Sequence, residues 1–255
     1  MSVNRRSKRK KLNKKGVHEL RLLTKRLRAY LRIYPKNCKP AVVVCDQELK
    51  ALANAFAGKR ASDVLLQLLQ TLYSGPEEDL QAISIALLDT FDQGAIAESF
   101  DYVSSLERVL VLWPKEPLPR KGFKRGMAKV YRKAKFSGKQ VITKSSGEDA
   151  ERLHHWRKQA KRWLFCCSDL PAVAPGKKYQ NDLTRLTQKL GRYNDLQELE
   201  TTLESLTLPV SAGVVQNRVL TEIQARKIKL ERQFSKNYET LFSVKTRNLN
   251  DLTKY

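Results

Sequence analysis

Two histidines, 136 residues apart, each head a row of cations at helical spacing. With His18 at zero and about 100° per residue, Arg21, Lys25, Arg28 and Arg32 fall with it in one stripe about 80° wide. Leu20, Leu23, Leu27, Tyr30, Leu31 and Tyr34 form the opposite stripe, so an apolar seam fixes the helix and a cationic seam faces away from it. The second row, His154, Arg157 and Lys161, is shorter, because Leu164 and Ser168 replace two cations. Arginine grips phosphate with a planar fork, lysine adds a flexible point charge, and imidazole can bind a phosphate oxygen or orient a neighbouring arginine. Metal ligation fits poorly: the residues three and four beyond each histidine include cations and no carboxylate.

Further stripes repeat the design. Lys121, Arg125, Arg132, Lys135 and Lys139 share one face, Arg218, Lys229, Arg232 and Lys236 another, and Arg185, Lys189 and Arg192 a third. Like charges at i,i+3 and i,i+4 cost about 0.2–0.5 kcal/mol per pair in isolated helices, and ordinary solvated faces mix signs instead. Repeated acceptance of that cost points to an anion that relieves it.

The charge balance agrees. The chain of 255 residues has 49 Lys+Arg against 26 Asp+Glu, a net charge of +23. Residues 41–110 carry a local charge of −7, which leaves +30 on the remainder. A polyanion is the natural partner: nucleic acid, an anionic membrane surface or a polyphosphate chain. Residues 1–15 hold eight Lys/Arg and read as a flexible basic tail, yet without them the charge is still +15. Apolar residues make up 41%, enough for a sizeable core. No stretch approaches the apolar length of a membrane span, and no apolar region follows the basic N-terminus to make a secretory signal. The four cysteines show no zinc spacing. Neighbouring Cys166 and Cys167 read as small buried hydrophobes in a reducing cytosol.

Helical periodicity dominates, and the fold expected is all-α. Helices are expected over 17–34, 46–57, 61–73, 76–91, 94–112, 120–140, 148–169, 177–190, 192–206 and 213–242, separated by breakers at Pro35, Pro40, Gly58, Gly75-Pro76, Gly94, Pro114–Pro119, Ser145–Gly147, Pro171–Gly176 and Pro209–Gly213. Only Ala41–Cys45 and Arg108–Trp113 look β-like. The 114–119 segment divides a first helical unit, 16–113, from a second, 120–255. The two units echo each other. Arg21/Arg157, Lys25/Lys161, Arg26/Arg162, Leu27/Trp163 and Tyr30/Cys166 align when His18 is laid on His154. After each copy, a helix is expected to end at a glycine (Gly58, Gly191), with an aspartate (Asp63, Asp195) capping the next.

H-x-L-R-x-x-x-K-R-L-R at 18–28 and H-x-W-R-K-x-x-K-R at 154–162 resemble the signature of the CHAD family, the conserved-histidine α-helical domain. Tyr131-Arg132-Lys133, Leu190–Leu196 and Gly58-Lys59-Arg60 with Asp63-Val64 are similar to further CHAD motifs. The resemblance covers about 16–242. It implies two helical bundles related by a pseudo-twofold around a basic channel or cleft. It also implies non-catalytic binding of inorganic polyphosphate and association with polyphosphate granules in the cytoplasm. By position it implies His18, Arg21, Lys25, Arg28, Arg125, Arg132, His154, Arg157, Lys158, Lys161 and Arg162 as contacts. Arg32, Lys135 and Lys189 join them from the stripes, and Arg218, Lys229 and Arg232 from the last helix. The 58–63 spacing is one residue shorter than the family's, and 41–110 is acidic and less family-like. Asp46–Lys50 superficially resembles the E-x-E-x-K signature of CYTH triphosphate-tunnel domains, but its first residue departs and it lies in a helical region.

Three functions compete. A polyphosphate-binding module uses the cationic rows directly, with affinity that falls steeply as salt rises. An RNA- or DNA-binding protein would use the basic tail as a non-specific anchor, though no RRM, KH or zinc-finger signature is present and aromatics are only 8%. A phosphohydrolase would need clustered carboxylates for Mg²⁺ that the basic faces lack. No cofactor is expected, and the sequence names no protein partner.

Overall fold

The computed structural model describes residues 13–35, 38–56, 58–92, 101–116, 118–143, 149–170 and 175–243. Residues 1–12 of the basic tail lie outside the described residues, as do the expected breaks at Gly94, Ser145–Gly147 and 171–174 and the side chains of Lys59 and Arg60. The described chain is helical, with no strand. Its α-helices are α1 (Lys14–Leu31), α2 (Lys39–Ala55), α3 (Gly58–Leu72), α4 (Gln81–Asp92), α5 (Tyr102–Leu112), α6 (Arg120–Thr143), α7 (Asp149–Asp169), α8 (Lys177–Ser205) and α9 (Val210–Phe242), and a 3₁₀ turn, Glu77–Leu80, leads into α4. No described helix is long and apolar enough to cross a membrane.

Side-chain caps set two of the helix starts. Asn13 caps α1, its Oδ1 accepting from the Gly16 N–H at 2.8 Å, and Asp101 caps α5 through the Ser104 N–H at 3.2 Å. Several expectations about ends fail, among them Gly58, which opens α3 and does not close α2. Pro40 does not break the chain: it sits in the first turn of α2, where a missing N–H is harmless, so the β-like run Ala41–Cys45 is helical. Cys45, Leu49 and Leu52 then form a buried i,i+4,i+7 stripe, and that burial outweighs the β-propensity of three valines. Gly191 does not end a helix either. It lies inside α8 with no left-handed φ, because the buried stripe of Leu190, Tyr193 and Leu196 carries straight through it. Asp195 is therefore mid-helix, and Asp63 lies a turn inside α3, so neither caps a helix start.

Three apolar cores hold the helices. The largest joins Ala29 and Ile33 at the end of α1 to α6, α7, the first half of α8 and the last half of α9, around Trp156, Trp163, Tyr131 and Phe242. Tyr131 and Trp163 meet edge-on at 5.4 Å, and the Trp163 indole N–H donates to the Tyr179 hydroxyl at 3.0 Å. A second core packs α3, the 3₁₀ turn and α4 on Leu196, Leu199 and Leu203 of α8 and on the first half of α9. A small third core joins Leu31, Cys45, Leu49 and Val109 of α1, α2 and α5. Helices from both sides of the 114–119 segment thus share cores, with α8 and α9 running through two of them. Between those two, the Lys227 ammonium meets Glu200 at 2.7 Å and donates to Gln197 at 2.8 Å. Of the cysteines, Cys45, Cys166 and Cys167 are buried and all four are free thiols.

Candidate functional site

The lower half of α1 meets α2 and α7 through charge. Arg28 Nε lies 2.8 Å from Asp46 Oδ1, and Arg32 Nη2 lies 2.7 Å from Asp46 Oδ2. Burial alone would raise the Asp46 carboxyl, but the two guanidiniums overcome that and hold it below the usual carboxylate range. Arg162 of α7 joins the group. Its pKa is lowered by burial and by the charges of Arg32 and Arg28, against a smaller opposing pull from Asp46. Two arginines thus bind one carboxylate directly, and a third, from α7, feels its charge. Tyr30 and Arg26, on the neighbouring face of α1, both bind Asp169 at the end of α7, the Arg26 pair at 3.3 Å.

Arg32 and Arg162 open onto a cleft of about 230 Å³ between α1, α6 and α7, completed by Lys129, Val130, Lys133 and Gln159. It adjoins a second cleft of about 440 Å³, which shares Lys129, Lys133 and Gln159 and adds Arg132, Phe136, Ser137 and His155. Among the described residues, no carboxylate lines either. Arg162 donates to Gln159 Oε1 at 3.2 Å, and the Gln159 amide lies 3.2 Å from His155 Nε2. Burial first, and then the charges of Arg162, Lys158 and Lys133, hold the His155 pKa below its ordinary value. The close approach of α6 to α1 rests on Gly126, where an added Cβ would stand 2.1 Å from the Ile33 carbonyl oxygen.

The paired histidine motifs occupy a different place. His154 Nδ1 is hydrogen-bonded to Asn194 Oδ1. Arg157 Nε lies 3.7 Å from where a Cβ of Gly191 would be, so this stripe of α7 turns towards α8. Glu198 completes the cluster. Burial and Asp195 raise its pKa, opposed by Arg157 and His154. In the first motif Arg21 donates through Nη1 to the Phe56 carbonyl at the end of α2, while His18 and Lys25 are exposed. Lys158 is exposed and Lys161 half-buried.

The remaining expected contacts disperse. Arg125 is exposed on α6, and Lys135 is half-buried there, its pKa lowered by burial and by Lys139. Lys189 and Arg232 meet in a separate cleft of about 410 Å³ between α8 and α9, beside Asp182 and Lys236. Arg218 lies against Tyr73, whose hydroxyl donates to Asp79 at 2.5 Å, and Lys229 is exposed. The structure therefore gathers Arg32, Arg132 and Arg162 in the adjoining clefts, with Arg28 at Asp46 behind. Lys129, His155 and Gln159 were not singled out by spacing. Their signal is a second stripe one residue along each helix: Lys129, Lys133 and Phe136 on α6, and His155, Gln159 and Arg162 on α7.

Among the described residues no group of three or more His, Cys, Asp or Glu is placed to hold a metal ion. No curated protein and no solved structure matches the chain. The family model described as CHAD domain does match, over residues 3–204, which takes in α1–α7 and nearly all of α8 and stops before α9, so Arg218, Lys229 and Arg232 lie beyond it. With its histidine motifs, cationic helices and most of its length inside that match, the chain belongs to the CHAD domain family.

Proposed function

We propose that the chain binds inorganic polyphosphate, without turning it over, along the cations that α1, α6 and α7 present to their shared clefts. One observation carries the reading: Arg32, Lys129, Lys133 and Arg162, from three helices, line a cleft to which no carboxylate among the described residues contributes. Crowded cations there disfavour one another's charge: burial first, and then the charges of Arg32 and Arg28, lower the Arg162 pKa. A chain with about one negative charge per phosphoryl relieves that repulsion and releases its counterions. Membership of the CHAD family is compatible with this role.

On this reading α1 and α7 are copies of one element in two related units. The parallel between Arg21 at Phe56, two residues before Gly58, and Arg157 at Gly191 supports it. Arg21, Arg157, His18 and His154 then extend the basic surface beyond the cleft, and cells that store polyphosphate would carry the protein on their granules. The test is charge reversal. Arg32→Glu with Lys133→Glu should lower affinity for long-chain polyphosphate at least about tenfold while the helical circular dichroism persists. Lys229→Glu, on an exposed face of α9, should change it little. Equal losses in both variants would contradict the cleft assignment.

A further inference from the structure

The arginine cluster already holds an anion of its own. The two oxygens of Asp46 sit 2.8 and 2.7 Å from Arg28 and Arg32, as two oxygens of a phosphoryl group would sit against the same pair of guanidiniums. Arg162 approaches from α7 closely enough for the charges of all four groups to interact. Asp46 is only partly covered, with its side chain 21% exposed, and Arg32, which it binds, lines the cleft. No other carboxylate of α2 shares this work: Glu48, about half a turn further on, faces Arg108 at 3.4 Å.

We infer that Asp46 is a built-in surrogate for a phosphoryl group. It neutralises the arginine cluster while the cleft is empty, and an incoming phosphate chain must compete with it for Arg28 and Arg32. The inference rests on the proposed reading that the cleft binds polyphosphate. It assigns to one acidic side chain, from the least basic part of the sequence, the setting of affinity. The opposite role is also well defined. A carboxylate that orients the two arginines for the ligand would make binding weaker when removed.

The experiment compares wild type, Asp46→Asn, Asp46→Ser and Glu48→Gln, each titrated with long-chain polyphosphate over a range of salt and melted with and without it. One unit charge about 6 Å from a phosphoryl, at an effective dielectric of about 40, corresponds to about a tenfold change in affinity. Asp46→Asn and Asp46→Ser should therefore bind about tenfold tighter than wild type, and Glu48→Gln should stay within about twofold. Each freed cation should also steepen the log–log salt slope by about 0.7–0.9. Without ligand the Asp46 variants should melt lower than wild type, and polyphosphate should raise their melting point by more. Wild type that binds, with Asp46 variants binding no better than Glu48→Gln, overturns this inference and leaves the proposed function standing. Failure of wild type and both Asp46 variants to bind overturns the proposed function and this inference with it.

Discussion

Gly126→Ala puts the construction of the cleft to a quantitative test. In an open helix the change is favourable by about 1 kcal/mol, because alanine loses less backbone freedom on folding. At Gly126 the new methyl would stand 2.1 Å from the Ile33 carbonyl oxygen, 2.5 Å from its Cγ2 and 2.8 Å from its carbonyl carbon. Ile33 is buried in the largest core, so the end of α1 has to shift outward by about an ångström or more to restore ordinary contact. Overpacking of this kind costs about 1–3 kcal/mol, and more where backbone is the obstacle. The net expectation is a loss of about 1–2 kcal/mol, or a fall of about 2–8 °C in Tm for a chain of this size. Arg32 precedes Ile33 and Lys129 lies one turn along from Gly126, so the same shift spreads the cleft and weakens polyphosphate binding. Gly213→Ala is the internal control: nothing stands within 4 Å of its Cβ position in α9, and it should gain about 0.5–1 kcal/mol. Thermal and urea unfolding of both variants decide the matter. A Gly126→Ala protein that melts at or above wild type refutes the close approach of α1 and α6.

Other consequences are accessible to the same assays. Lys227→Met strands Glu200, whose side chain is only 5% exposed, and should cost about 3–5 kcal/mol in urea unfolding. Replacing both partners, as Lys227→Met with Glu200→Leu, should recover most of that loss, since the pair's burial and not its attraction dominates the penalty. Because the folded pKa of Asp46 lies below its ordinary value of 3.8, its stabilisation is present above that pH and fades as pH falls through the folded value. The melting difference between wild type and Asp46→Asn should therefore shrink on acidification below about pH 4.

The helices were readable where an apolar stripe ran at helical spacing between breakers, as in α1, α6 and α7. Sequence and structure part where one residue's usual habit yields to packing. Pro40 looked like a stop but fits the first turn of α2, and Gly191 looked like a cap but lies under a stripe that needs α8 unbroken. The cations of the cleft were only half legible for a related reason. His154 and His155 are neighbours about 100° apart on α7, so a stripe can start from either. Spacing favours the first, which turns to Asn194 in α8, whereas the second lines the cleft adjoining that of Arg162. Asp46 was invisible as a partner of Arg28 and Arg32, because their meeting depends on how α2 folds back on α1.

The most direct measurement of the central claim is a titration of the wild-type protein with long-chain polyphosphate, tripolyphosphate, RNA and DNA at about 0.15 M salt, with released orthophosphate followed throughout. The account predicts tightest binding to long-chain polyphosphate, steep weakening as salt rises, and no orthophosphate. RNA or DNA binding as tightly as long-chain polyphosphate, or steady release of orthophosphate, would contradict it.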